Sequence, residues 1–488
     1  MTNPDDDGLV RLVAWSGWGA LVERLRAIGV SPGHAAESLR VGREASALPR
    51  HPLVAWHLRQ RADDAAIALR SFFVGEPVDE ASATRALGSS FAGALEVGLL
   101  VRTGGDVVCP FRFAYADDVL VLSDRLEGGG PDAVMGPGAT TAELARIARP
   151  LAPVASALDL GCGAGTLALL RAPHAARVVG TDVNARALAF ARVSAALAGR
   201  AVDWRAGDLF APVAGETFEL VVAQPPFVPR PSSATETTYL HGGARGDELA
   251  RRVLAGVPAA LAPGGRAFVL STWPTFDRPE GDALEARAAK AIGDANLGVT
   301  IFAGPPFDVD DWCTLCSAQE HPTLDAAFDA DAIALREHVG ALGVTGFSLA
   351  AIVVERPSSG PGWSASFPGV AISRLDAAHV EATLRAQRLA AGPDDALLAA
   401  RLRWPAGSTF RRQPNEGGSP RFQLRFDAAS PWPTLTLDEL TAAVATTLAD
   451  APDVRTAVET MRAPSGAARE PILRVVRQAL ARGVVQAG

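Results

Sequence analysis

Ala157-Leu158-Asp159-Leu160-Gly161-Cys162-Gly163-Ala164-Gly165-Thr166 is the stretch on which the fold turns. An apolar run ends in an acid, and a glycine-rich turn follows at once. A buried parallel strand passes to a helix in this way at a nucleotide-type ligand site. Three more strand ends follow in order: Val178-Val179-Gly180-Thr181-Asp182, then Gly207-Asp208-Leu209-Phe210 behind Val202-Asp203-Trp204-Arg205, then Gln224-Pro225-Pro226-Phe227 behind Phe218–Ala223. From Val154 to Glu355 strands and helices alternate regularly. That alternation predicts an α/β domain whose ligand lies over the carboxyl ends of the strands.

The loop reads G-x-G-x-G, which lets the backbone pass close to a ligand without Cβ clashes. The dinucleotide fingerprint needs glycine or alanine where Thr166 stands, which speaks against a nicotinamide- or flavin-dependent oxidoreductase. Asp182 ends the second strand, twenty-one residues after Gly161, where a carboxylate accepts from both hydroxyls of a ribose. Asn184 follows it and is grouped with the same contacts. Asp208 is placed to accept from an adenine amino group, with Leu209 or Phe210 covering the ring face.

With these residues the chain resembles the class I S-adenosylmethionine-dependent methyltransferases over about residues 134 to 355. The resemblance implies a Rossmann-like seven-stranded sheet flanked by helices. It also implies S-adenosylmethionine as cofactor and S-adenosylhomocysteine as product. Asp159, Gly161, Gly163 and Gly165 would hold the methionine end, Asp182 the ribose, and Asp208 with Leu209 the adenine.

Gln224-Pro225-Pro226-Phe227 is similar to the Asn-Pro-Pro-Tyr/Phe motif of nitrogen methyltransferases, above all the release-factor and ribosomal-protein glutamine methyltransferases and the small-domain rRNA guanine methyltransferases. Two prolines stiffen the turn. The Gln224 amide oxygen and the Pro225 carbonyl can accept from an N–H and orient its lone pair, while Phe227 packs on a flat substrate. Those families carry Asn or Asp where this chain has Gln224, so its amide sits about one C–C bond further out. Tyr239-Leu240-His241-Gly242-Gly243-Ala244-Arg245-Gly246-Asp247-Glu248-Leu249 resembles a glycine-rich, acid-containing segment that follows the motif in the glutamine enzymes. Thr140, Tyr239 and His241 are the candidate substrate contacts.

Three domains are expected. Residues 1–120 read as mainly helical, with a second helix over Glu80–Leu95 and a hairpin turning at Thr103-Gly104-Gly105; the order resembles a winged helix. Residues 121–357 hold the cofactor domain, including Gly128-Gly129-Gly130 and the run Met135-Gly136-Pro137-Gly138-Ala139-Thr140-Thr141, whose small residues suit close ligand approach and whose Thr140 and Thr141 would cap a helix from Glu143 to Ala148. After the linker Arg356–Gly362, residues 358–488 read as a small α+β domain with a strand at Phe422–Phe426 and a helix at Glu470–Leu480. There, Arg401, Arg403, Trp404, Phe410, Arg411, Arg412, Arg421 and Arg425 form a basic and aromatic group that fits a solvated strand or an RNA contact.

The chain of 488 residues is 48% hydrophobic with a formal net charge of −8, which argues against broad phosphate binding but leaves room for a local basic face. Four cysteines make no disulfide framework, so a reducing, cytoplasmic setting is expected. Cys313-x-x-Cys316 has no second pair for a zinc site and reads as two buried thiols. No metal and no membrane contact is expected, and a homodimer is left open. The leading expectation is methylation of a nitrogen on a protein, peptide or RNA acceptor. The alternatives are a small-metabolite acceptor, with the flanking domains as lid and dimer surface, and a winged-helix regulator that keeps the cofactor fold as a sensor.

Overall fold

The computed structural model describes residues 6–39, 52–126, 130–232, 237–277, 283–321, 323–413, 421–462 and 468–487. Gly128 and Gly129 of the glycine run lie outside these residues. The central sheet is built from β1 (Val154–Leu160), β2 (Ala175–Asp182), β3 (Asp203–Ala206), β4 (Phe218–Ala223), β5 (Leu261–Phe276), β6 (Gly298–Ala303), β7 (Val344–Glu355) and β8 (Trp363–Pro368). Their order across the sheet is β8-β6-β7-β5-β4-β1-β2-β3. Only β7 runs against its neighbours. Chain order reverses beside β1, which lies between β2 and β4, so a crevice opens at the carboxyl ends of these strands.

The sheet has eight strands, not the expected seven. The eighth, β8, follows the supposed linker and pairs in parallel with β6 from Gly298↔Trp363 to Ala303↔Pro368. The Trp363 indole lies against Gly298, where a Cβ would stand 2.3 Å from the ring, and its Nε1 donates to Thr300 Oγ1 at 3.0 Å. The Pro- and Gly-rich stretch is therefore a return loop, and the boundary expected at residue 357 falls inside the sheet.

Strand residues alternate between two cores. Leu158, Leu160, Val221, Ala223 and Val269 face helix Glu248–Ala260 through Val253, Leu254 and Val257. Ala157, Leu220, Val222, Phe268 and Val353 face the other side. They meet helices α1 (Ala139–Ile147) and α2 (Thr166–Arg171), and Val380 and Leu384 of a helix at Ala377–Ala391. Runs buried on both faces explain why these strands read as continuous apolar segments.

The N-terminal helices share a core with the hairpin Phe111–Asp124 and with α3 (Ala185–Ala198), through Phe190, Val193 and Leu197. The expected helix over Glu80–Leu95 is two helices, Glu80–Leu87 and Ser90–Glu96, broken at Gly88 with φ +56°. The hairpin Val101–Thr103/Asp106–Val108 forms as expected, and Val78–Asp79 adds a third strand. The C-terminal part packs its own core around Leu397, Leu402, Val444, Leu448, Val476 and Leu480. Its helix Arg469–Ala481 and strand Arg421–Phe426 match expectation within a residue at each end. Among the described residues no helix is long and apolar enough to cross a membrane.

Candidate active site

A cavity of about 260 Å³ opens over the carboxyl ends of β1, β2 and β4. Asp159, Gly161, Gly163, Asp182, Asn184, Asp208, Leu209, Gln224, Pro225, Pro226, Thr140 and Tyr239 all line it. Residues from four strand ends, from the start of α1 and from the segment after Pro226 are thus brought together.

Asp182 anchors one wall. Its Oδ2 accepts from the Gly163 N–H at 2.8 Å and its Oδ1 from the Asn184 N–H at 2.9 Å. A carboxylate offers about four lone-pair sites, so capacity remains for a ligand. Burial raises the Asp182 pKa against the lowering pull of these backbone donors. Asn184 caps α3, accepting from the Arg186 N–H at 2.9 Å. Asp159 lies deeper: it is fully buried and accepts from the Ala168 N–H of α2 at 2.8 Å. Burial pushes its pKa up to about 7, and the neighbouring Asp182 adds to the rise. Gly161 and Gly163 have φ of +71° and +52°, and a Cβ on either would meet nothing within 4 Å. Both border open space, as a ligand cradle requires.

Gly165 does not line the cavity. It is the left-handed N-cap of α2 with φ +83°, and a Cβ there would stand 2.7 Å from Trp204. Its place in the motif is set by packing. Asp208 is exposed and pairs with Arg252 at 2.6 Å. Of the two ring-covering candidates, Leu209 lines the cavity, at a left-handed φ of +47°; Phe210 packs instead against Gly256 of α4 (Glu248–Ala260).

Gln224 sits at the end of β4, where its Nε2 donates to Thr140 Oγ1 at 2.6 Å. Thr140 and Thr141 were expected just before their helix. They lie in its first turn instead, because Gly138 is the N-cap and α1 starts at Ala139. That turn aims Thr140 at Gln224. Phe227 does not reach the cavity: past the two prolines it packs with Val228, Leu240 and Trp312. His241 is likewise absent from the lining. It is buried, its Nδ1 accepts from the Thr237 N–H at 2.9 Å, and it serves the turn that places Tyr239. Burial raises the Tyr239 phenol pKa.

Met135-Gly136-Pro137-Gly138, expected to allow close ligand approach, lines the cavity, as does Leu249 at the end of the glycine-rich segment; Ala133, Val134, Thr238 and Val253 of α4 line it without a signal in the sequence. Cys313 and Cys316 are buried in helix Val309–Glu320, and burial raises both thiols' pKa values. Among the described residues Glu320, His321 and Asp331 bring ligand atoms within 4.8 Å of one another; none of them lines the cavity.

Residues 144–272 match the family model described as the methyltransferase small domain. The curated relatives belong to the group that this chain's motifs resemble. A release factor glutamine methyltransferase of Deinococcus radiodurans is 39% identical over 133 residues, 25% of this chain and 46% of that protein. A ribosomal RNA small subunit methyltransferase C of Alcanivorax borkumensis is 35% identical over 114 residues, 23% and 31% of the two chains. A ribosomal protein uL3 glutamine methyltransferase of Bradyrhizobium diazoefficiens is 33% identical over 120 residues, 22% and 38%. The chain spans less than half the length of each of these relatives. The residues matched by that model, 144–272, hold β1 to β4 and most of the cavity lining.

Proposed function

We propose that this chain is an S-adenosylmethionine-dependent methyltransferase acting on a nitrogen of a protein, peptide or RNA acceptor. One observation carries the reading: Asp182, with free carboxylate lone pairs, and Gln224, with a fixed amide, face the same cavity. The residues present fit the cofactor, since the open glycines 161 and 163 leave the room that side chains would fill. When bound, the cofactor supplies an electrophilic methyl on a sulfonium.

The chain's own residues do the positioning. Asp182 accepts from ribose hydroxyls. Thr140 engages the Gln224 Nε2, so the amide oxygen remains as the acceptor for an N–H of the substrate. With the Pro225 carbonyl held by the stiff Pro-Pro turn, it aligns a nitrogen lone pair for in-line attack. The extra methylene relative to Asn is fixed by the Thr140 contact. Glutamine, ribosomal-protein and rRNA activities in the relatives' names support a macromolecular nitrogen acceptor. Four free, buried cysteines support a reducing, cytoplasmic setting.

The test pairs binding with turnover. Calorimetry with S-adenosylhomocysteine on Gln224→Ala is expected to keep affinity within about threefold. Methyl transfer from labelled cofactor to the protein and RNA fractions of a ribosomal extract falls by about 100-fold or more. No binding by the wild type, or wild-type turnover in Gln224→Ala, refutes the reading.

A further inference from the structure

We propose that the exposed face of the C-terminal three-stranded sheet docks the phosphate backbone of RNA. Its strands are β9 (Ser408–Gln413), β10 (Arg421–Phe426) and β11 (Leu435–Leu437), paired antiparallel. The register sorts the basic and aromatic group into two faces. Phe410 and Phe422 stack at 5.9 Å between ring centres, Trp404 stacks on Phe410 at 4.8 Å, and all three pack on the C-terminal core. These rings are committed inward and cannot stack on bases.

The opposite face presents Thr409, Arg411 and Gln413 across from Arg425, Gln423 and Arg421. No acidic residue occurs in the three strands. Among the described residues Arg411, Arg421 and Arg425 have no carboxylate partner, unlike Arg266, which pairs with Glu355 and Glu381. A positive strip on a chain of net charge −8 marks a place where an anion is wanted.

The spacing suits a nucleic-acid backbone, the RNA partner that the proposed acceptor class includes. Gln423 lies opposite Arg411, with Arg421 and Arg425 two residues to either side. The arginine roots therefore step by roughly 7 Å along the strands, the scale on which phosphates succeed one another along a nucleic-acid chain. Gln423 Oε1 accepts from Arg425 Nε at 3.1 Å and Nη2 at 2.9 Å, which holds that guanidinium over the sheet before any ligand arrives. A guanidinium grips phosphate in bidentate fashion, and prior ordering lowers the entropic cost. Without stacking, the contact is sequence-tolerant and salt-dependent, as for structured RNA.

The inference narrows the acceptor class proposed above and rests on that reading for its partner, but its test is binding without cofactor. If methyl transfer fails, the RNA contact still stands or falls by its own measurement. The probe is a fluorescein-labelled 20-base-pair RNA hairpin, titrated with the full chain by anisotropy across a KCl series. Substituting Arg411→Gln, Arg421→Gln and Arg425→Gln together is expected to reduce the log K against log salt slope by about 2 to 3. Affinity at low salt falls at least about 30-fold, while the melting temperature and S-adenosylhomocysteine binding stay unchanged. A control triple, Arg455→Gln, Arg469→Gln and Arg474→Gln, leaves the slope within about one. An unchanged slope in the first triple, or an equal fall in the control, overturns the proposal. So does polyglutamate that binds the wild type as tightly as the hairpin, which makes the partner an acidic peptide.

Discussion

At Gly161 an added Cβ would meet nothing within 4 Å, whereas at Gly165 it would stand 2.7 Å from Trp204 Cη2 and 3.1 Å from Ala191 Cβ. Both residues have positive φ, so both resist a side chain, but for different consequences. Gly161→Ala is expected to cost about 1–2 kcal/mol of stability from backbone strain and to weaken S-adenosylhomocysteine binding, because its methyl enters the cavity. Gly165→Ala adds overpacking to the same strain and is expected to cost about 2–4 kcal/mol. Urea melts and calorimetry on the two variants separate a ligand glycine from a packing glycine; equal stability losses would refute the division. The G-x-G-x-G spacing showed that glycines were needed but not which one faced the ligand, because that depends on where Trp204 of β3 packs. Asp159 gives a second prediction at this scale. Burial lifts its native pKa to about 7, above the unfolded value near 4. Between those values the native state holds more protons than the unfolded chain, so stability of the ligand-free protein falls as pH rises from about 4 to about 7. The loss amounts to at most about 4 kcal/mol. Asp159→Asn removes this contribution, so the stability gap between variant and wild type moves in the variant's favour by a few kcal/mol between pH 5 and pH 8. Parallel pH profiles for the two proteins would show that Asp159 is not the group responsible.

The segment Ala133–Gly138 lines the cavity although it belongs to no helix or strand. Its start is fixed by Asp124 at the end of the Phe111–Asp124 hairpin, whose Oδ2 accepts from the Val134 N–H at 2.9 Å and from Arg186 Nε of α3 at 2.7 Å. Both side chains of that ion pair are nearly inaccessible to water. Removing one partner leaves a buried charge uncompensated, so Asp124→Ala or Arg186→Ala is expected to cost about 3–5 kcal/mol. The double variant Asp124→Leu/Arg186→Met recovers much of that loss. Urea melts of the three variants check it, and a double variant less stable than either single one refutes it. The pair spans 62 residues of sequence and carried no local signal. β1, β2 and β4 were legible because runs such as Val221-Val222-Ala223 are buried on both faces. Phe227 lies off the cavity because the direction of a side chain after a Pro-Pro turn is settled by what packs there, here the cluster with Val228, Leu240 and Trp312, and His241 because its ring is taken up by the Thr237 N–H.

Across the whole molecule, the C-terminal chain completes the sheet rather than hanging from it. β8 covers the edge of β6, and Val370, Ile372, Leu375, Val380 and Leu384 close one face of the sheet. Glu355, at the end of β7, is 3% exposed and accepts from Arg266 and from Arg388 of the helix Ala377–Ala391. A chain cut after residue 357 therefore loses a paired edge, a partner for a buried carboxylate and six buried apolar side chains of this core, Phe367 among them. At about 1.5–3 kcal/mol for each such side chain, that is on the order of 10 kcal/mol, comparable with the 5–15 kcal/mol by which a domain is stable at all. The exposed β6 edge adds an aggregation site. The chain ending at residue 357 is expected to be insoluble or to melt without cooperativity, with no S-adenosylhomocysteine binding. A chain ending at Gly392 keeps β8 and that helix, and is expected to retain binding with a lowered melting temperature. Wild-type affinity in the shorter chain would show that the sheet is complete at seven strands and that the return loop is a true boundary.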